Sequence, residues 1–153
     1  MKKNLTNLLW LCLIAFTITA CKKEPDTKEL LTGKKWFLEK SETTFMGQTE
    51  TNTPEACEAD DYSILNSNGT VTSGTGAQLC SGETNSREEN GGNWSLSSDN
   101  KKLTLTEADC TSDCTQNFTI EKLTSSNLII SIEESEVIDG ETYKFTIRVY
   151  LKS

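Results

Sequence analysis

The chain has 153 residues, which suits one domain and little more. Its 15 basic and 23 acidic residues give a net charge of −8, so it lacks the cationic surplus that nucleic-acid phosphates attract. It contains no histidine, the commonest general base of enzymes, and no Gly-x-Ser-x-Gly elbow or phosphate-binding glycine loop. We therefore expect no enzymatic activity, no cofactor and no nucleic-acid partner.

The N-terminus has the pattern of a secretory signal. Lys2 and Lys3 precede an apolar run, and charged residues follow that run directly. The apolar stretch over residues 8–20 is shorter than the ~20 residues that span a bilayer, which favours a cleaved signal over a membrane helix. The sequence therefore predicts a signal peptide over residues 1–20.

The end of this signal resembles a known processing motif. Thr19-Ala20-Cys21 resembles the lipobox of bacterial lipoproteins, in which the cysteine is acylated and becomes the first mature residue. The resemblance implies a palmitate-type anchor on Cys21, a charged tether over residues 21–29 and a place in the bacterial cell envelope. Lys22 stands where some lipoproteins carry an aspartate that retains them in the inner membrane, so we expect the outer membrane. The sequence does not indicate which leaflet of that membrane holds the anchor.

The acidic composition of the mature chain bears on how it meets the membrane. Without Lys2 and Lys3 the chain has 13 basic and 23 acidic residues, a net charge of −10. Such a surface is repelled by anionic lipid headgroups. Membrane contact is therefore expected through the lipid on Cys21.

Short strand patterns separated by turn residues fill the rest of the chain. Asn68-Gly69, between two strand patterns, predicts a two-residue hairpin, and Asp139-Gly140 predicts another turn. Ahead of them, Lys28–Thr32 is predicted to form one helical turn that closes an end of the domain, which is compatible with the charged tether before it. Eight strands are predicted, beginning near Trp36, Tyr62, Thr70, Gly92, Leu103, Phe118, Leu128 and Tyr143.

Eight sequential strands with short connections favour an all-β fold. Antiparallel neighbours form a meander, and closing the meander removes its exposed edges. We predict an eight-stranded antiparallel up-and-down barrel over residues 30–153, with an open sandwich as the alternative. Such a barrel is filled by side chains or holds one small ligand. The polar, glycine-rich region 72–92 is predicted as a long mobile loop, either a binding loop or a surface excursion.

Four cysteines remain in the predicted domain, an even number that indicates disulfides in an exported protein. Three pairings are possible, and we favour Cys57–Cys80 with Cys110–Cys114. The rival interpretation is a zinc site around Cys110 and Cys114. Zinc normally takes four cysteine or histidine ligands, and histidine is absent, so no metal is expected.

Several motifs together resemble a known family. Gly33-Lys34-Lys35-Trp36 resembles the glycine–tryptophan start of lipocalins and lipocalin-like lipoproteins, and later motifs keep the order of the bacterial lipocalin-like domain. Those motifs are Cys57 with Asp60-Asp61, Asn68-Gly69-Thr70, Cys80, Gly92-Asn93-Trp94 and Lys102-Leu103. The resemblance spans about residues 30–152. It implies a barrel that binds a small apolar or amphipathic ligand without catalysis. The alternative is a filled barrel that acts as a structural or protein-interaction lipoprotein.

Side-chain alternation predicts which residues face the interior. In the last strand, residues 143, 145, 147, 149 and 151 share one face and are predicted to form core, while residues 144–150 of opposite parity face solvent. Trp36 is expected mainly to pack at one barrel end. Asp60-Asp61 and Glu133-Glu134 are interpreted as solvated charge. The candidate barrel-lining residues are Trp36, Ile64, Trp94, Phe118, Ile120, Ile130, Phe145 and Ile147.

Overall fold

The computed structural model describes residues 25–153 apart from residue 113, and most of these residues lie in one antiparallel sheet. The predicted signal peptide, Cys21 and the first residues of the predicted tether lie outside the described residues. In the part of the chain that is described, no helix has the length and apolarity needed to cross a membrane.

Nine strands and one short helix make up the fold. Their bounds in chain order are α1 (Thr27–Leu31), β1 (Lys35–Phe45), β2 (Gln48–Asn52), β3 (Tyr62–Leu65), β4 (Thr70–Gly74), β5 (Glu88–Leu96), β6 (Lys102–Thr106), β7 (Thr115–Leu123), β8 (Asn127–Ile138) and β9 (Glu141–Lys152). Strands β3 to β9 pair consecutively, and β1 pairs with both β3 and β9. This closes an eight-stranded antiparallel barrel, as predicted.

Strand β2 and the outer parts of β1, β8 and β9 extend beyond the barrel. Residues 35–37 of β1 pair with β3, whereas residues 41–45 pair with β2. Pairing of β7 with β8 ends at Ser131, but β8 and β9 stay paired as far as Ile138 and Glu141. We call this four-stranded region the sheet extension: β2 with residues 41–45, 132–138 and 141–149.

The predicted turns are present, and the predicted long loop is shorter than expected. Asp139 and Gly140 have φ of +51° and +85°, and Gly69 has φ of +90°, values that suit tight hairpin turns. The bounds predicted for this loop, residues 72–92, were wrong at both ends, because β4 continues to Gly74 and β5 begins at Glu88. The connection is therefore residues 75–87.

The core lies at the end of the barrel that α1 covers. The helical turn predicted over Lys28–Thr32 is present as α1, one residue earlier, and its Leu31 is completely buried. Trp36 Nε1 donates a hydrogen bond to the Leu31 carbonyl at 2.9 Å, and Trp94 Nε1 donates one to the Asn66 carbonyl at 2.8 Å. Each indole thus keeps a partner for its single polar group while its ring packs in the core. The buried apolar residues are Leu31, Trp36, Leu65, Val71, Trp94, Leu103, Phe118, Leu128 and Ile130.

Candidate ligand cavity

The other end of the barrel is open and contains a cavity of about 440 Å³. Trp36 lies among its lining residues, so the cavity reaches the edge of the core. Leu38 and Leu151, which are directly paired on β1 and β9, add further apolar surface. The lining residues are Trp36, Leu38, Pro54, Glu58, Asp61, Tyr62, Ser63, Ser73, Gly74, Thr75, Arg87, Glu89 and Leu151.

The interior is therefore only partly filled by side chains. A second cavity of about 150 Å³ shares Ser63 and Ser73 with the first. These serines occupy inward positions of β3 and β4, two residues from the buried Leu65 and Val71. Small side chains at inward positions leave this space at the open end, whereas large ones fill the end that α1 covers.

Two loops form the mouth of the cavity and are tied together. Cys57 in the loop before β3 is disulfide-bonded to Cys80 in the loop before β5, with a Cα–Cα distance of 5.0 Å. The second pair, Cys110–Cys114, has a Cα–Cα distance of 5.5 Å and lies in the connection from β6 to β7. Both pairs are those favoured from the sequence, and the first one belongs to the candidate site.

Asp60 and Asp61 do not act as solvated charge. Asp60 Oδ2 accepts hydrogen bonds from the backbone N–H groups of Ala77 at 2.7 Å and Gln78 at 3.2 Å. Asp61 Oδ1 accepts one from the Gly76 N–H at 2.8 Å. A Cβ atom on Gly76 would overlap the Asp60 carboxylate, so glycine permits this close approach. The two carboxylates hold the second mouth loop against the first.

The walls of the mouth also carry charged groups. Arg87 and Glu89 both line the cavity, and Arg87 Nε lies 3.4 Å from Glu89 Oε2. These polar groups surround an apolar base formed by Leu38, Leu151 and the edge of Trp36. An apolar base with a few polar groups is typical of small-molecule sites.

The residues predicted to line the barrel lie in three different regions: the cavity, the core and the sheet extension. Trp36 lines the cavity, and Ile120 packs against the buried core that contains Trp94, Phe118 and Ile130. Phe145 and Ile147 are partly buried and lie on the inner face of the sheet extension, beyond the closed barrel.

Ile64 lies on the other face from the one expected. Trp36 pairs with Ser63, so these two share the inner face, while Ile64 pairs with Lys35 and Thr72 on the outer face. Side chains alternate between the two faces of a strand, and Leu65 is buried, so Ser63 also faces the interior. A serine in a short strand gives no apolar signal, which is why sequence reasoning chose its neighbour.

A network of charged side chains lies on the outer face of the sheet. Glu42 accepts hydrogen bonds from Lys40 Nζ at 2.6 Å and from the Tyr150 hydroxyl at 2.7 Å, and both lower the pKa of its carboxyl group. Arg148 makes two hydrogen bonds to Glu121, at 2.7 and 3.0 Å, and lowers its pKa. Each shift favours the charged form already present at neutral pH. These groups therefore stabilise one another and are not poised to transfer protons.

Comparison with known proteins identifies the family. The family model described as a lipocalin-like domain matches residues 31–130. A lipocalin-like protein from Bacteroides uniformis ATCC 8492 is 14% identical, with 81% of this chain and 98% of that chain covered and a TM-score of 0.47. Bovine odorant binding protein, in complex with a selenium-containing odorant, is 14% identical, with 85% and 74% covered and a TM-score of 0.38. No curated protein matches the chain. Because the family model covers more than half of the sequence, the protein belongs to the lipocalin-like domain family.

Proposed function

We propose that this protein is a lipid-anchored protein of the bacterial cell envelope that binds a small apolar or amphipathic ligand in the open-end cavity and does not catalyse a reaction. The observation that carries the proposal is the cavity of about 440 Å³ with Trp36 at its base. Unlike an outer-face depression of similar volume, it opens into the barrel interior at Ser63 and Ser73, and its volume falls within the roughly 300–1,000 Å³ of sites for small molecules. The apolar part of a ligand would contact Trp36, Leu38 and Leu151.

The polar groups of the cavity support binding rather than chemistry. Asp61 Oδ1 accepts a hydrogen bond from the Gly76 N–H, which positions this carboxylate at the mouth, and Glu89 is paired with Arg87. The sequence supplies no histidine, the commonest general base of enzymes. These groups support orienting a ligand at the mouth.

A second candidate function is contact with an envelope protein. Met46 and Val137 lie near the ends of the two hairpins of the sheet extension, and they are 76% and 66% exposed. Exposed apolar side chains at a projecting edge favour a protein partner. Native mass spectrometry separates the two functions, because the first predicts a bound small molecule and the second predicts bound protein.

The test of ligand binding is native mass spectrometry of the mature protein purified from its own envelope, followed by titration of residues 22–153 with a panel of lipids. We expect an adduct of small mass and saturable binding. Ser63→Phe places a ring in the cavity and should weaken binding at least about tenfold, equivalent to ~1.4 kcal/mol. The matched control is Ile64→Phe, which adds a ring to the outer face and should leave affinity unchanged. Bare protein mass with no saturable binding would contradict ligand carriage.

Lipid anchoring is tested separately through the N-terminal cysteines. Cys21→Ala should abolish acylation and move the protein out of the membrane fraction, because acyl chains supply the anchoring energy at about 0.8 kcal/mol per buried CH₂. Intact mass and membrane fractionation measure this. Cys12→Ala, within the predicted signal, is the control and should stay in the membrane fraction. Unchanged fractionation of Cys21→Ala would overturn the lipoprotein assignment.

A further inference from the structure

The apolar base of the cavity continues onto the sheet extension. Leu38 pairs with Leu151 inside the cavity, and further along the same two strands Thr43 pairs with Ile147 and Phe45 with Phe145. The Phe45 and Tyr143 rings lie 5.8 Å apart at the outer end of this path. Antiparallel register partners point to the same face, so one continuous apolar strip runs from Trp36 outward. A ligand seated in the cavity would therefore extend along this inner face.

The charged side chains beside this strip are acidic. Glu134 pairs with Phe145, Glu136 with Tyr143, and Glu50 with Thr43, which places all three carboxylates on the inner face. The basic residues among the described residues of the sheet extension, Lys144 and Arg148, lie on the opposite face. The inner face thus carries acidic side chains while the basic ones lie on the outer face, a separation that the net charge alone does not explain.

The charged residues that line the cavity are also mainly acidic. Glu58, Asp61 and Glu89 line it, and Arg87 is the one basic residue among its described lining residues. Arg87 pairs with Glu89, which leaves the other two carboxylates without a basic partner in the described part of the chain. Six carboxylates and one guanidinium therefore surround the apolar strip and its cavity.

We infer that the ligand is a cationic amphiphile, with its apolar chain against Trp36, Leu38 and Leu151 and its positive group among the carboxylates of the mouth and the sheet extension. This inference rests on the proposed function. An anionic head would meet uncompensated like charge in the same position, which costs binding free energy. Because the carboxylates are largely exposed, their attraction is screened by salt.

The experiment compares three amphiphiles that share one dodecyl chain and differ in the head: trimethylammonium, maltoside and carboxylate. Each is titrated below its micelle concentration into residues 22–153, with tryptophan fluorescence and calorimetry as readouts. We expect the trimethylammonium compound to bind at least about tenfold more tightly than the carboxylate at low salt. The difference should shrink from about 0.01 M to about 1 M salt, where the screening length falls from about 30 Å to about 3 Å.

Two adjacent residues supply a matched pair of variants. Glu134→Lys changes the inner face and should reduce the preference for the cation at least about threefold, whereas Glu133→Lys makes the same change of charge on the outer face and should not. Glu134→Gln, a milder change, should act in the same direction as Glu134→Lys. Equal reductions by the two lysine variants would show that net charge alone acts, and would overturn the inference.

The remaining outcomes separate this inference from the proposed function. Equal affinity for the three heads, or tightest binding of the carboxylate, would overturn the charge preference and leave small-ligand binding intact. Absence of binding by all three, together with bare protein mass from the envelope, would overturn both.

Discussion

Trp36→Ala is expected to lower the free energy of unfolding by about 3–5 kcal/mol, the range found for truncating large buried aromatic side chains. The Trp36 side chain is only 2% exposed, and its indole contacts the end of α1 through the Leu31 carbonyl. Its removal leaves a void next to an existing cavity and deprives a buried carbonyl of its donor. Urea unfolding followed by circular dichroism measures the change in midpoint.

The control for this substitution is Met46→Ala. Met46 is 76% exposed in the β1–β2 turn, so its truncation should change stability by no more than about 0.5 kcal/mol. Trp36→Phe should fall between the two, because a ring remains but its hydrogen bond is lost. A loss below about 1 kcal/mol for Trp36→Ala would mean that the indole does not pack as described.

The barrel was predictable because the strands that build it carry their own signals. Alternation of apolar residues in β9 and the Asn68-Gly69 turn are local patterns, and the order of consecutive hairpins leaves few topologies. The even number of cysteines predicted disulfides, and the pairing favoured among three possible ones is the one observed. The strand and turn signals depend on near neighbours in the sequence, which a single chain displays directly.

The sheet extension could not be predicted in the same way. Strand β2 has the sequence Gln-Thr-Glu-Thr-Asn, every residue of it is exposed, and no apolar alternation marks it. Its turn uses Met46 at φ +50°, where a turn signal would have asparagine or glycine. The pairing partner β1 supplies the order that the segment itself lacks.

The candidate site was missed in part because it depends on long-range register and on loops. A shift of one residue decides whether Ser63 or Ile64 faces the interior, and the apolar residue was the wrong choice. The roles of Asp60 and Asp61 follow from contact with a loop about 15 residues away, at Gly76–Gln78. Sequence patterns carry no record of such contacts.

Removing the Cys57–Cys80 disulfide, as the double variant Cys57→Ser/Cys80→Ser, is expected to cost about 3.5 kcal/mol of stability. The two cysteines are separated by 23 residues, and the chain-entropy relation for a loop of this length gives that value before any strain. Because the disulfide and the Asp60 and Asp61 hydrogen bonds join the same two loops, its loss should also loosen the mouth of the cavity. Hydrogen exchange of the amides at residues 76–78 should speed up most, and ligand affinity should fall.

The second disulfide is the control for this variant. Cys110→Ser/Cys114→Ser opens a loop with a separation of four residues, for which the same relation gives about 2 kcal/mol. This disulfide does not join the two mouth loops, so hydrogen exchange of the amides at residues 76–78 should stay slow and ligand affinity should be unchanged. Chemical denaturation, hydrogen exchange and the amphiphile titration are measured on both variants. Equal loss of binding in both would mean that the mouth responds to global stability, and that the Cys57–Cys80 bond has no particular part in shaping the cavity.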